Sequence, residues 1–313
     1  MTALLEPLVS CYHITEALPW SEIFHRKAIL EVEIGFGLGE WLLRRAISYP
    51  ERDFVGLEEN WERVYRALKK IHECRKAALL SADNIRIFEM DARVALERLF
   101  RPESIDSLHC LFPCPWPKKS HWKNRLLNRS FLELVNSRLI LGGQLNIVTD
   151  HEGYFQWIQQ HIPQEGFRFL TRKIGPRYDT KFERKWLAAG QKEFFEITLI
   201  KGSHLSVAVK EALALQSYRL DSFNPRSFKL DNYIDEISVI FKDILYDPER
   251  EEALVLVLVQ EGHLTQHFSV SIIKRENFWR VCKANGQNFI PTPGLAKAIE
   301  VVFEAAKKSE VVK

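Results

Sequence analysis

The sequence predicts an α/β fold, a mainly parallel sheet with helices on both faces, followed by a smaller α+β unit. Three observations predict it. Strand-like and helix-like segments alternate along the first two-thirds of the chain. A glycine turn, Gly35-Phe36-Gly37-Leu38-Gly39, joins the first strand-like run to the first helix-like one. Beyond Gly202 the alternation stops and consecutive strand-like runs take over. Regular βα alternation gives parallel sheets whose right-handed crossovers leave the strand C-termini along one edge, where ligands bind.

In chain order, Ala28 to Ile34 reads as a strand and Glu40 to Ser48 as a helix. Phe54 to Glu58 is a short strand, and Trp61 to about Ala78 a basic amphipathic helix. Ile85 to Met90 is a strand, Ala92 to Phe100 a helix, and Ile105 to Phe112 a fourth strand ending in a proline-rich loop. Phe131 to Leu139 reads as a helix capped by Gly143, leading into the strand Gln144 to Thr149. Gly153 to His161 is helical, and Phe194 to Ile200 closes the region as a strand. Asp231 to Tyr246 is periodic but ambiguous between helix and strand. Ala253 to Val259, Gln266 to Lys274 and Phe278 to Lys283 read as strands separated by turns, and Leu295 to Lys307 as a closing amphipathic helix after Pro291 and Pro293. The expected divisions are an N-terminal segment 1–27, a main domain 28–202 and a C-terminal unit 203–313.

At 313 residues the chain is long enough for two domains. Its 46% hydrophobic and 27% charged residues suit a globular protein with a sizeable core. The net charge of +3 is mild, so a nucleic-acid partner depends on local clustering. The five cysteines, Cys11, Cys74, Cys110, Cys114 and Cys282, are odd in number and form no Cys-x-x-Cys pair. That disfavours a disulfide framework and suits a reducing cytosol. Cys110 and Cys114 with His109 and His121 fit no closed zinc site, so no metal is expected. No apolar run approaches the roughly 18 residues of a membrane helix. Leu8-Val9-Ser10-Cys11 looks like a lipoprotein cleavage box, but no Lys or Arg precedes it and Glu6-Pro7 interrupt the apolar stretch. The expected location is the cytoplasm, without a membrane partner.

The glycine turn lets a ligand approach the backbone, and the helix start beyond it suits phosphate or carboxylate. A dinucleotide loop, Gly-x-Gly-x-x-Gly, would place its third glycine where Glu40 stands. Gly35, Gly37 and Gly39 instead make Gly-x-Gly-x-Gly, preceded by Glu33, which is the S-adenosylmethionine pattern. Glu33 can accept hydrogen bonds from a methionine ammonium, and NAD with its two phosphates would disfavour that acid. Glu58 ends the second strand, where an acid can hold both ribose hydroxyls; its other reading is a solvated strand-end charge beside Glu59. Asp91 ends the third strand and reads either as a helix N-cap or as a partner of the adenine amino group. After the fourth strand, the stretch Pro117 to Arg129 holds five basic residues and no acid, with Trp116 and Trp122 alongside. Such residues neutralise phosphates and stack on unpaired bases. Arg168 to Lys185 adds seven basic residues against Asp179 and Glu183.

The stretch from about Ile29 to Lys201 resembles the bacterial tRNA (guanine-N7)-methyltransferase family. The matching pieces, in family order, are Glu33 to Gly39, Gly56-Leu57-Glu58, Asp91-Ala92, Phe112-Pro113-Cys114-Pro115-Trp116-Pro117-Lys118-Lys119, His121, Lys123, Thr149-Asp150 and Thr180-Lys181-Phe182-Glu183. The resemblance implies the Rossmann-like, seven-stranded sheet of class I methyltransferases and transfer of a methyl group from S-adenosylmethionine to N7 of the variable-loop guanine at tRNA position 46. By the same resemblance Glu33, Glu58 and Asp91 would bind the cofactor, and Lys118, Asp150, Thr180, Lys181, Phe182 and Glu183 would contact the tRNA. Some members carry a C-terminal extension, and residues 203–313 read as one, with no recognised motif and no indication of monomer or homodimer.

The family motif reads Pro-Asp-Pro-Trp, and its Asp is the residue usually called catalytic; here Cys114 holds that position. The family also tends to have Arg before His121 and Lys-Arg-Arg after it, where this chain has Ser120 and Lys123-Asn124-Arg125. Guanine N7 has an in-plane lone pair and no proton, so its methylation needs alignment and no general base. A catalytically weakened or inactive tRNA-binding homologue, or a partner subunit, is the alternative reading. A small-molecule or protein methyltransferase leaves the basic tryptophan loop unexplained, and the glycine spacing argues against an NAD-dependent oxidoreductase.

Overall fold

A computed structural model of the chain describes residues 2–10, 16–80, 83–208 and 213–309. Cys11, the last residue of the box, lies outside the described residues. The described residues divide into two compact units, the first of residues 2–10 and 17–208, the second of residue 16 and residues 213–309.

In the first unit two short helices, α1 (Thr2–Leu5) and α2 (Trp20–Ile23), precede β1 (Leu30–Ile34), α3 (Glu40–Ser48), β2 (Asp53–Glu58), α4 (Trp61–Lys76) and β3 (Ile85–Glu89). There follow α5 (Ala92–Arg98), β4 (Ile105–Leu111), a 3₁₀ turn over Lys119–Asn124, α6 (Arg129–Arg138), β5 (Leu139–Thr149) and α7 (Glu152–His161). The unit ends with β6 (Phe167–Ile174), α8 (Lys181–Ala188) and β7 (Phe194–Lys201). The seven strands lie in the order β3-β2-β1-β4-β5-β7-β6. β1 to β5 are parallel, and β7 runs antiparallel to both its neighbours. This is the Rossmann-like sheet that the resemblance implied. The chain moves outward from β1 to β3 and returns beside β1 as β4, so the order reverses at β1. The C-terminal end of β1 is thus the switch point where open α/β sheets leave a crevice.

Every residue of β1 is buried, the acids Glu31 and Glu33 included. Burial would push the Glu31 carboxyl up, but His109, Arg45 and Arg52 surround it and hold it at about 2. Gly56 in β2 is obligatory: a Cβ there would lie 2.5 Å from Leu42 and 2.6 Å from the Phe36 ring. Gly143 corrects one expectation. It caps no helix but lies inside β5, which begins at Leu139 directly after α6. Its missing side chain is explained by the Ile140 and Asp106 carbonyls, about 3 Å from where a Cβ would stand. The basic stretch from Arg168 overlaps an eight-residue edge strand, β6, that its sequence did not announce.

The second unit contains β8 (Tyr218–Leu220), β9 (Tyr233–Ile234), β10 (Ile237–Asp247), β11 (Glu252–Glu261), β12 (Leu264–Arg275), β13 (Phe278–Lys283) and α9 (Pro293–Lys308). Its six strands form an antiparallel sheet in the order β8-β13-β12-β11-β10-β9. α9, capped by Thr292, packs Leu295, Ala298, Ile299 and Val302 against Val255, Val257, Val270 and Val281 of one sheet face. The ambiguous stretch Asp231 to Tyr246 is strand, with a bulge between Phe241 and Asp243.

Candidate active site

The glycine turn leaves β1 in three left-handed conformations, with φ of 67° at Gly35, 57° at Gly37 and 69° at Gly39. L side chains rarely adopt that region. Beside Gly35 and Gly37 the space is open, with nothing within 4 Å of a notional Cβ. Gly39 differs: it precedes α3 and its notional Cβ meets Ala67 of α4 at 3.0 Å. Its part is close packing of two helices, whereas Gly35 and Gly37 face a cavity of about 270 Å³.

Glu33, Gly35, Gly37, Thr180, Lys181 and Phe182 all line this cavity. Glu33 is 3% exposed. Burial pushes its carboxyl up to about 8; the Leu42 backbone and Arg44 pull the other way, and Glu58 adds to the rise. Its Oε2 has no hydrogen-bond partner. A buried acceptor without a donor is costly, so this oxygen calls for a cation or a donor from outside the chain.

Glu58 ends β2 directly behind the glycine turn. Its Oε2 accepts the Gly37 N–H at 3.0 Å, and its Oε1 accepts the Asn60 N–H at 3.1 Å and Arg63 Nη1 at 3.4 Å. A carboxylate has about four acceptor sites, so capacity remains for a ligand hydroxyl. Asp91 performs the capping role: its Oδ1 accepts the N–H groups of Arg93 at 2.7 Å and Val94 at 3.3 Å, and its Oδ2 pairs with Arg93 at 3.2 Å. The acids share one electrostatic neighbourhood. Burial raises the pKa of Glu59, and the charges of Asp91 and Glu58 raise it further.

The loop after β4 begins on the cavity, because Leu111 lines it. Phe112 and Trp116 have φ of 54° and 43°, a strained left-handed backbone on either side of Cys114. Cys114 and Lys118 are exposed and do not line the cavity. The Trp116 ring meets His121 edge-on at 5.8 Å. Arg125, 2% exposed, holds the loop from below: Nε donates to the Pro115 carbonyl at 2.9 Å and Nη2 to the Trp116 carbonyl at 3.4 Å. Asp150 is half-buried at the end of β5, outside the cavity lining, and burial raises its pKa.

Thr180 caps α8 through its Oγ1, which accepts the Glu183 N–H at 3.1 Å. Glu183, expected on the substrate side, is 1% exposed and spends its oxygens inside the chain. It accepts the N–H groups of Arg177 at 2.8 Å and Tyr178 at 2.9 Å, and that of Asp179 as well. Its place is thus to shape the turn that presents Lys181 and Phe182. Glu183→Ala strips three backbone N–H groups of their acceptor, and each buried orphan costs about 1–3 kcal/mol. The expected result is a lower unfolding temperature and faster amide exchange at residues 177 to 179. Exchange at the normal rate would mean that the carboxylate does not order the turn.

Several cavity residues left no signature in the sequence. Trp41 and Glu40 come from the first turn of α3, and Arg63 and Arg66 from the first turns of α4. Glu40 pairs with Lys70 of α4 at 3.0 Å and Arg184 of α8 at 2.6 Å, tying three helices around the opening. The one available signal was the basic, amphipathic character of α4 immediately after Glu58. Among the described residues, no group of three His, Cys, Asp or Glu side chains could hold a metal ion, and no helix is long and apolar enough to cross a membrane.

Comparison with known proteins adds the following. A family model described as a putative methyltransferase matches residues 27–196. The chain is 42% identical over 193 residues to a tRNA (guanine-N(7)-)-methyltransferase of Chlorobium phaeobacteroides, covering 61% of this chain and 92% of the relative. It is 29% identical over 302 residues to a protein of the same name from Thermotoga maritima, covering 92% of each. Among solved structures, a 16S rRNA methyltransferase superposes with a TM-score of 0.46 at 14% identity, over 62% of this chain and 98% of that one.

Proposed function

The chain belongs to the tRNA (guanine-N7)-methyltransferase family, and from that premise we propose that it transfers the methyl group of S-adenosylmethionine to N7 of the guanine at position 46 of the tRNA variable loop. The observation that carries the reading is the buried, unpartnered Glu33 Oε2 beside an open glycine turn, in a cavity that also receives Lys181 and Phe182. No observation favours the inactive homologue or partner subunit over it.

The residues fit the cofactor. Glu33 would receive the methionine ammonium, Gly35 and Gly37 would let the ligand lie against the backbone, and Glu58 would receive a ribose hydroxyl. Asp91, anchored by Arg93, would meet the adenine amino group. S-adenosylmethionine supplies a methyl carbon made electrophilic by its sulfonium. What remains for the chain is to place guanine N7 in line with that carbon, a task of orientation. Lys181 and Phe182 approach from α8, with a charge for phosphate and a ring for a base. Lys118, Asp150 and Cys114 border the substrate from the β4 and β5 loops. The first unit, which includes residues 28–202 and continues through 203–208, is the catalytic domain, the second unit is the extension, and the setting is the cytoplasm.

The direct test incubates the purified protein with labelled S-adenosylmethionine and bulk tRNA, digests the RNA and assays 7-methylguanosine. Absence of label from that nucleoside would refute the reading. Cys114 also makes a prediction. Sulfur accepts guanine N–H groups more weakly than a carboxylate oxygen does, and a charged hydrogen bond contributes about 1.5–3 kcal/mol. Cys114→Asp is expected to raise turnover by about tenfold or more. An unchanged or lower rate would show that another group holds the base.

A further inference from the structure

We propose that the β8–β13 corner of the second unit's sheet is a contact surface for the phosphate backbone of RNA. The proposal rests on the tRNA reading above, which supplies the polyanion. β13 pairs with β8 so that Arg280 lies directly opposite Arg219. It pairs with β12 so that Phe278 lies opposite Arg275 and Arg280 opposite Ile273. Directly paired residues, and residues two apart on a strand, project from the same face. Arg219, Arg275, Arg280 and Phe278 therefore share a face. It is the reverse of the one on which Trp279, Val281 and Ile272 join the core beneath α9.

All three arginines are exposed. Like charges directly opposite in a ladder repel, and the usual remedy is a carboxylate between them. Among the described residues none of the three is joined to one. Arg219 lies over the Phe278 ring at 4.2 Å, and Arg280 donates to the Ser217 hydroxyl at 3.2 Å. Three acids lie nearby. Glu252, in register with Ile273 and so on the same face, accepts the Ser271 hydroxyl at 3.1 Å. Glu251 and Glu276 line the same shallow groove as Lys274, Arg275, Phe278 and Arg280. A guanidinium offers its N–H fork to phosphate in two parallel bonds. The Phe278 ring lies beneath one of the three guanidinium groups. The surface thus holds three phosphate-matched groups beside an aromatic ring, and among the described residues none of the three is paired with a carboxylate.

The test measures binding of bulk tRNA to the full chain over a range of salt concentrations. In the combined variant Arg219→Gln, Arg275→Gln, Arg280→Gln, the slope of log affinity against log salt is expected to fall by about 2–3, near one for each phosphate no longer neutralised. The KM for tRNA rises and the affinity for S-adenosylmethionine stays. The corresponding triple lysine variant, which keeps the charge, recovers most of the slope. An unchanged slope in the glutamine variant overturns the proposal. So does an equal loss in the lysine variant, which would trace the effect to disturbed packing or to a protein partner's geometry. Should the unaltered protein bind tRNA but form no 7-methylguanosine, the catalytic reading fails while the salt slopes still decide this surface.

Discussion

Glu33→Gln is expected to weaken S-adenosylmethionine binding by about ten- to a hundredfold and, at the same time, to raise the melting temperature of the ligand-free protein. The loss follows from replacing a charged acceptor, with about 1.5–3 kcal/mol in a charge-assisted bond, by a neutral one. The gain follows from burial, which lifts the Glu33 carboxyl to about 8 from an ordinary 4.5. Between those values the folded chain holds a proton that the unfolded chain has released. Stability from this group is therefore fullest below pH 4.5 and declines as pH rises towards 8. Glutamine has no such decline, so near neutral pH the variant is the more stable protein. Binding has the opposite sign: an ammonium needs the carboxylate, so affinity climbs with pH up to about 8. Above that the ligand's own α-amino group, with a pKa of about 7.7–8.0, loses its charge. The wild-type profile peaks near pH 8, and the variant's lacks the rising limb. Calorimetry across pH checks both statements, and an unaltered affinity would remove Glu33 from the cofactor site.

Arg125→Met is expected to lower kcat by about a hundredfold while leaving cofactor affinity nearly unchanged. The guanidinium sits among the rings of Trp122, Tyr154 and Trp157, at 4.5, 5.0 and 4.9 Å. From there it grips the carbonyls of Pro115 and Trp116. Those bonds hold a loop that contains two strained residues around Cys114, and such strain persists only when the surroundings over-determine it. A methionine fills the aromatic box and offers no donor, so the loop relaxes while the core stays packed. A misplacement of about 1 Å near the reacting atoms is enough for a hundredfold loss. The Arg125 carbonyl also accepts Arg93 at 3.3 Å, and Arg93 pairs with Asp91. Arg125→Lys keeps the charge but not the fork and should recover only part of kcat. Separate kcat and cofactor-affinity measurements check this, and an equal fall in both would point to general unfolding.

Much of this architecture was legible in the residues because apolar periodicity marks buried elements. α3 runs from Glu40 to Ser48 as its spacing predicts, and β13 from Phe278 to Lys283 likewise. β6 was not legible. It is an edge strand in which, of eight residues, only Ile174 is buried, so no alternation survives in Phe167 to Ile174. β10 was ambiguous because its bulge after Phe241 shifts the two-residue period midway. In the site, the acids at strand ends were legible from type and position. The helix cap made by Asp91 was legible too; the engagement of Glu58 was not, since the Gly37–Glu58 bond depends on how the fold brings β2 behind the turn. Thr180 to Glu183 illustrates the limit: one motif supplies three residues that line the cavity, the first of them also a helix cap, and a buried turn-shaper, and sequence alone gives all four the same weight.

Phe36 stands between the two open glycines, yet it is 5% exposed and rests on Gly56. The turn that receives the ligand is thereby moulded by the interior of the sheet. Its conformational entropy is lost once, as the chain folds, and not again with each molecule that enters. Affinity for a small ligand is on this account partly a property of core packing, and a methyl group added at Gly56 would push on the Phe36 ring and so displace the turn from within.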